Sequence, residues 1–140
     1  MPTPRINPTP RRAVLLVHTL PGGASHVDWM IERAAAIPSA PSAEHTLCTY
    51  RVVVRVDAPP YVPFIAVPIA EHRRRYLTFE GRITGDGGTV RRLARGQVVN
   101  DSPAATIRWH EGTIVRYEFE ITPDGHALVH PTRIPENVGG

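Results

Sequence analysis

Apolar residues in this chain come in short runs, and several of the runs alternate with polar positions. His26–Glu32 places Val27, Trp29 and Ile31 on one side and His26, Asp28, Met30 and Glu32 on the other. That is the period-two pattern of a strand with one buried face. Thr113–Ile121 repeats it, with Val115, Tyr117, Phe119 and Ile121 set against Arg116, Glu118 and Glu120. Val14–His18, Leu47–Val56, Phe64–Ile69, Leu77–Ile83, Thr89–Leu93, Thr106–Trp109 and Ala127–Val129 are further runs rich in Val, Ile, Thr, Tyr and Phe, which favour strands. Turn sequences such as Pro21-Gly22-Gly23, Gly85-Asp86-Gly87-Gly88 and Pro123-Asp124-Gly125 separate them. The pattern predicts a mainly β protein, a single compact β-barrel of about eight short strands with at most one or two short helices. The one helical candidate is Trp29–Ile37, read as strand first and then a short helix ending before Pro38.

A chain of 140 residues fits one domain. Residues 1–12 carry four prolines and three arginines and read as a flexible extended arm. Residues 13–134 form the domain, and 135–140 read as a C-terminal tail. A hydrophobic fraction of 41% with 21% charged residues excludes wholesale disorder. No apolar run approaches the roughly 20 residues of a membrane helix, and no signal-peptide pattern is present. The single Cys48 reads as a small core residue and fits a reducing compartment. A cytoplasmic monomer without membrane attachment is expected. All 16 basic residues are arginine, the net charge is +3, and the pI is near 9.6. Planar two-point donors of this kind suit phosphate, so the charge points to an anionic partner.

Two constellations carry candidate chemistry. On a strand, His26 and Asp28 share a face, and the Pro21-Gly22-Gly23 turn folds the strand ending in His18 against them. Two imidazoles and a carboxylate would then converge as a 2-His-1-carboxylate set with open positions, suited to Mn, Fe or Zn. The alternative is three polar surface residues. The second constellation is Glu71-His72-Arg73-Arg74-Arg75-Tyr76. It reads either as a solvated basic turn or as a phosphate-capturing segment in which His72 donates a proton and Tyr76, four residues on, faces the same way.

In this order the pieces resemble the 3′-phosphoesterase domain of bacterial DNA ligase D and its stand-alone relatives. The resemblance rests on VLLVHTLPGGASHVDWMIE (14–32), on Leu47-Cys48-Thr49-Tyr50-Arg51-Val52, and on IAVPIAEHRRRYLTFEGRITGDGGTV (65–90). The most specific block is His72-x3-Tyr76-x2-Phe79-Glu80-Gly81-x-Ile83. The resemblance implies a β-barrel hydrolase, dependent on manganese or another divalent metal, that processes DNA or RNA 3′ ends in repair and leaves a 3′-hydroxyl. It implies His18, His26 and Asp28 as metal ligands and His72 and Tyr76 as catalytic contacts to the scissile phosphate. Arg51, Arg55 and Arg73 are the candidate substrate-binding cations, and Glu32 or Glu80 would support the site from behind. A separate ligase or polymerase would act in trans.

The chain also departs from that family. Met30 stands where the family has an arginine, Val53-Val54-Arg55 replaces Pro-Lys-Gly, and Phe64 replaces a basic residue. These changes support a second reading, a weak or inactive barrel of the same ancestry that binds metal or nucleic acid. A third reading pairs His26-x-Asp28 with a distal His72, His110 or His126 as an iron oxygenase triad.

Overall fold

The computed structural model describes residues 11–33, 47–72, 74–85, 87–100 and 104–135. Nine antiparallel strands follow one another: β1 (Arg11–Thr19), β2 (Ser25–Glu32), β3 (Leu47–Val52), β4 (Phe64–His72), β5 (Gly81–Arg82), β6 (Thr89–Asn100), β7 (Ala105–Trp109), β8 (Ile114–Ile121) and β9 (Ala127–Ile134). In space the order is β1-β2-β3-β4-β9-β8-β7-β6, and β6 pairs back onto β1. The result is a closed eight-stranded barrel, with β5 an extra strand on β6. Closure leaves the eight barrel strands no free edge. Among the described residues no helix is long and apolar enough to cross a membrane.

The alternation read from the sequence sets which residues turn inward. Ala13 and Leu15 on β1, Trp29 on β2, Ile107 and Trp109 on β7, and Val115 and Tyr117 on β8 are each at most 1% exposed. Trp29 lies at the centre of an aromatic group, 4.7 Å from the Tyr117 ring and 5.8 Å from Phe119. The Tyr117 hydroxyl accepts from Trp109 Nε1 at 2.8 Å and donates to the Val56 carbonyl at 2.6 Å. Trp109 Nε1, the Tyr117 hydroxyl and the Val56 carbonyl are thereby paired, whereas the buried Trp29 Nε1 has no hydrogen-bond partner among the described residues.

A second apolar cluster lies outside the barrel wall. Val14 and Leu16 of β1, Met30 of β2, Leu47 of β3 and Val90 of β6 meet Leu77 there, with Tyr76, Phe79 and Ile83 packed around them. This cluster explains where the expected elements change. Leu77–Ile83, expected as a strand, instead forms a 3-10 turn at Arg74–Leu77 and only the two-residue β5. Leu77 and its neighbours bury their side chains against the outer wall more completely than a solvent-facing strand would allow. The same cover buries Met30, which alternation alone places on a polar face.

Other boundaries shift. Arg11 and Arg12, expected in the arm, open β1 and pair with Val98 and Gln97. The third strand stops at Val52, because the chain turns to send Val56 into the barrel core. β6 and β9 run past their expected ends to Asn100 and Ile134. Cys48 is half-buried. The proposed short helix up to Ile37, residues 1–10 of the arm and residues 136–140 of the tail lie outside the described residues.

Candidate metal centre

The β1–β2 hairpin builds the site. Its tight turn is closed by Leu20 N donating to the Ala24 carbonyl at 2.7 Å and Gly23 N donating to the Leu20 carbonyl at 2.9 Å, with Gly23 at φ 97°. The resulting register sets His18 directly opposite His26. His18 and Asp28 follow Val14, Leu16 and Met30 on the outer face, because side chains two apart on a strand point the same way. His18 Nδ1 lies 3.2 Å from His26 Nε2, and His26 Nε2 lies 3.4 Å from Asp28 Oδ2. Candidate ligand atoms from all three fall within 4.8 Å of one another. Among the described residues this is the only such group.

Hydrogen bonding assigns the lone pairs. His18 Nε2 is 2.5 Å from the Gly87 carbonyl, which only accepts, so Nε2 carries the hydrogen and Nδ1 of the neutral ring is bare. His26 Nε2 receives the Arg51 guanidinium at 3.1 Å; a guanidinium only donates, so this nitrogen is bare as well. Two lone pairs therefore face each other across 3.2 Å beside a carboxylate. That spacing matches the edge between two ligands each about 2.0–2.2 Å from one ion. Asp28 is 3% exposed, and its buried Oδ1 has no hydrogen-bond partner; Arg51 Nε stands off at 3.6 Å. A buried carboxylate oxygen without a hydrogen-bond donor is costly, a cost that a cation ligand would offset. Burial holds the His26 pKa below the usual imidazole value; Arg51 and His18 lower it further and Asp28 opposes them. The net direction favours the neutral ring, the form a metal requires. These residues fit a divalent ion.

The turn between β5 and β6 supplies the group that orients His18. Ile83 N donates to the Gly88 carbonyl at 2.8 Å. Gly88 has φ +82°, and a Cβ there would lie 2.0 Å from the Thr19 carbonyl oxygen. Only glycine lets the turn approach the end of β1 so closely. The Gly87 carbonyl was missed by sequence reasoning, since a backbone acceptor leaves no mark in residue type; the glycine-rich turn was the one available signal.

The remaining predicted residues divide. Arg51 lies across from Asp28 on β3 and reaches both Asp28 and His26. Tyr76 packs edge-on against Phe79, ring centres 5.8 Å apart, in the outer cluster that contains Met30. His72 ends β4 opposite Leu47, but its side chain and all of Arg73 lie outside the described residues. Arg55 donates twice to Asp57, at 2.9 and 2.8 Å, and to the Leu93 carbonyl, so its partners lie outside the cluster. Glu32 accepts from the Arg12 backbone N–H and Glu80 from that of Arg92; neither is drawn to the imidazoles. His110 sits in the β7–β8 turn and His126 in the β8–β9 turn, and the third member of the cluster is His18 rather than either of them. Compared with known proteins, the chain matches no family model and no curated protein.

Proposed function

We propose that this barrel is a metal-dependent phosphoesterase that processes nucleic-acid 3′ ends, with manganese as the expected ion and DNA repair as the setting. The convergence of His18 Nδ1, His26 Nε2 and the Asp28 carboxylate, whose buried Oδ1 accepts no hydrogen bond, carries the reading. A divalent ion held there supplies Lewis acidity toward a phosphoryl oxygen and toward water. His18 is held in its ligand tautomer by the Gly87 carbonyl. Arg51, released from His26 and Asp28, offers a two-point fork to a phosphate at the same place. In this reading His72 supplies the proton for the leaving oxygen and Tyr76 contacts the scissile phosphate, with Arg55 and Arg73 as the further candidate cations.

One observation favours the second reading, a barrel that binds without turnover. Met30 is 2% exposed within the outer apolar cluster, so the position that would bear a phosphate-binding arginine in the resembled family offers no charge here.

A gel assay separates the two. A 5′-labelled primer–template ending in a 3′-phosphate or one ribonucleotide is incubated with and without manganese, beside Asp28→Ala. The phosphoesterase reading expects manganese-dependent conversion to a 3′-hydroxyl that is lost in the variant. Manganese binding without conversion supports the binding barrel and refutes the enzyme.

A further inference from the structure

A separate basic groove lies on the outer face of β1, β6 and β7, about 440 Å³ in volume. We infer that it is a binding track for a phosphodiester backbone. Strand register builds it in rows. Arg12 of β1 is opposite Gln97 of β6, which is opposite Arg108 of β7. Val14, whose side chain joins the outer cluster, is opposite Arg95, and His110 N donates to the Arg95 carbonyl at 2.8 Å. Leu16 is opposite Arg92.

The last row depends on an irregularity. Leu15 pairs with Ala94 and Leu16 with Arg92, so Leu93 is an extra residue on β6. Strict alternation from Arg95 would turn Arg92 into the barrel; the bulge returns it to the outer face. Four guanidinium groups therefore line one groove, and no carboxylate is among its lining residues. Glu32 and Glu80 accept from the backbone N–H groups of Arg12 and Arg92, while the two guanidinium groups stand farther off, Arg12 Nε at 3.5 Å from Glu32 and Arg92 Nη2 at 3.9 Å from Glu80. The Arg95 and Arg108 side chains are exposed and have no ion pair among the described residues.

The form of the ligand follows from the spacing. The rows from Arg92 to Gln97 span roughly 15 Å of strand at about 3.3 Å per residue. One inorganic phosphate is too small to reach them all, whereas a chain of phosphates reaches each row in turn. Trp109, which also borders the groove, is 1% exposed and turned into the core, so its ring offers no stacking surface there. Guanidinium contacts to phosphate position a backbone without reading sequence. Leu77 and Thr78 of the outer cover form the groove's wall. Beyond them on the same face lies His18, four residues from Val14 along β1, or about 13 Å. The inference deepens the proposed function and rests on it for the choice of nucleic acid as the polyanion.

The test is fluorescence anisotropy with EDTA-treated protein and labelled 20-mers, duplex and single-stranded in separate arms. Wild type is compared with the double variant Arg95→Gln, Arg108→Gln. Binding should weaken at least tenfold in the variant. Its salt slope should fall by about 1.4–1.8, two phosphate contacts at about 0.7 each on a single strand or 0.9 each on duplex. The arm with the larger loss identifies the strand form. Unchanged affinity and slope in both arms overturn the inference, as does equally strong, Arg95- and Arg108-dependent binding of polyglutamate. Hydrolysis of bis(p-nitrophenyl) phosphate with manganese is measured in parallel and should be the same in wild type and the double variant. Groove-dependent binding without hydrolysis by the wild type upholds the track and removes the enzyme; hydrolysis with groove-independent binding does the reverse.

Discussion

Arg51→Ala should raise manganese affinity rather than lower it. The Arg51 guanidinium donates to His26 Nε2 at 3.1 Å and stands 3.6 Å from Asp28 Oδ1. Both are groups an incoming ion must take. The Arg51 side chain is 46% exposed, so the ion pair is worth only about 0.2–1 kcal/mol. The hydrogen bond adds about 0.5–1.5 kcal/mol. Roughly 1–2 kcal/mol is therefore given up when the ion binds, and removing it raises affinity about 5- to 30-fold at 1.4 kcal/mol per decade. Isothermal titration with manganese chloride, wild type against variant, reads this directly. If Arg51 also captures phosphate, the variant raises KM while binding metal more tightly. Equal or weaker manganese binding by Arg51→Ala would refute the idea that the arginine occupies the ion's place.

His18→Ala, His26→Ala and Asp28→Ala should each lower manganese affinity by tenfold or more; unchanged stoichiometry and affinity in all three would remove the metal site. Met30→Arg should cost about 2 kcal/mol or more in urea unfolding, because it drives a guanidinium into the cluster of Val14, Leu16, Leu47 and Leu77; an unshifted midpoint would show that the cover opens freely. Tyr117→Phe leaves buried Trp109 Nε1 and the Val56 carbonyl without their shared partner, an expected loss of about 2–4 kcal/mol by the same measurement. The lowered His26 pKa means that the unfolded chain takes up the proton more readily than the folded one. Its stabilising contribution is therefore present above about pH 6.5 and lost as the pH falls through the folded value. The thermal midpoint of EDTA-treated protein should fall below pH 6.5, less steeply in His26→Ala; identical profiles would contradict that assignment.

The barrel was legible in the chain because its strands alternate. Val27, Trp29 and Ile31, and likewise Val115, Tyr117 and Phe119, turn to the interior as their period demands, while Ile121 passes the end of the core and is 71% exposed. The hairpin that joins His18 to His26 was also legible, since the Pro-Gly-Gly turn fixes their register. What periodicity could not convey was a second layer outside the wall. Leu77 and Phe79 read as strand residues because they are apolar and closely spaced, yet they cover Val14, Leu16 and Met30. That cover turns Met30 from a polar-face position into a buried one. The Leu93 bulge was equally hidden, because a run of arginines does not reveal which members share a face. Gly87 acts through its carbonyl, which every residue type possesses.

The central claim is that His18, His26 and Asp28 form a metal centre on the outer face of the barrel. Crystals grown with manganese, measured on both sides of the manganese absorption edge, test it most directly. The account predicts an anomalous difference peak bonded to His18 Nδ1, His26 Nε2 and an Asp28 carboxylate oxygen, with Arg51 displaced from both partners. A manganese peak elsewhere, or none at the cluster with Arg51 still on His26, would contradict it.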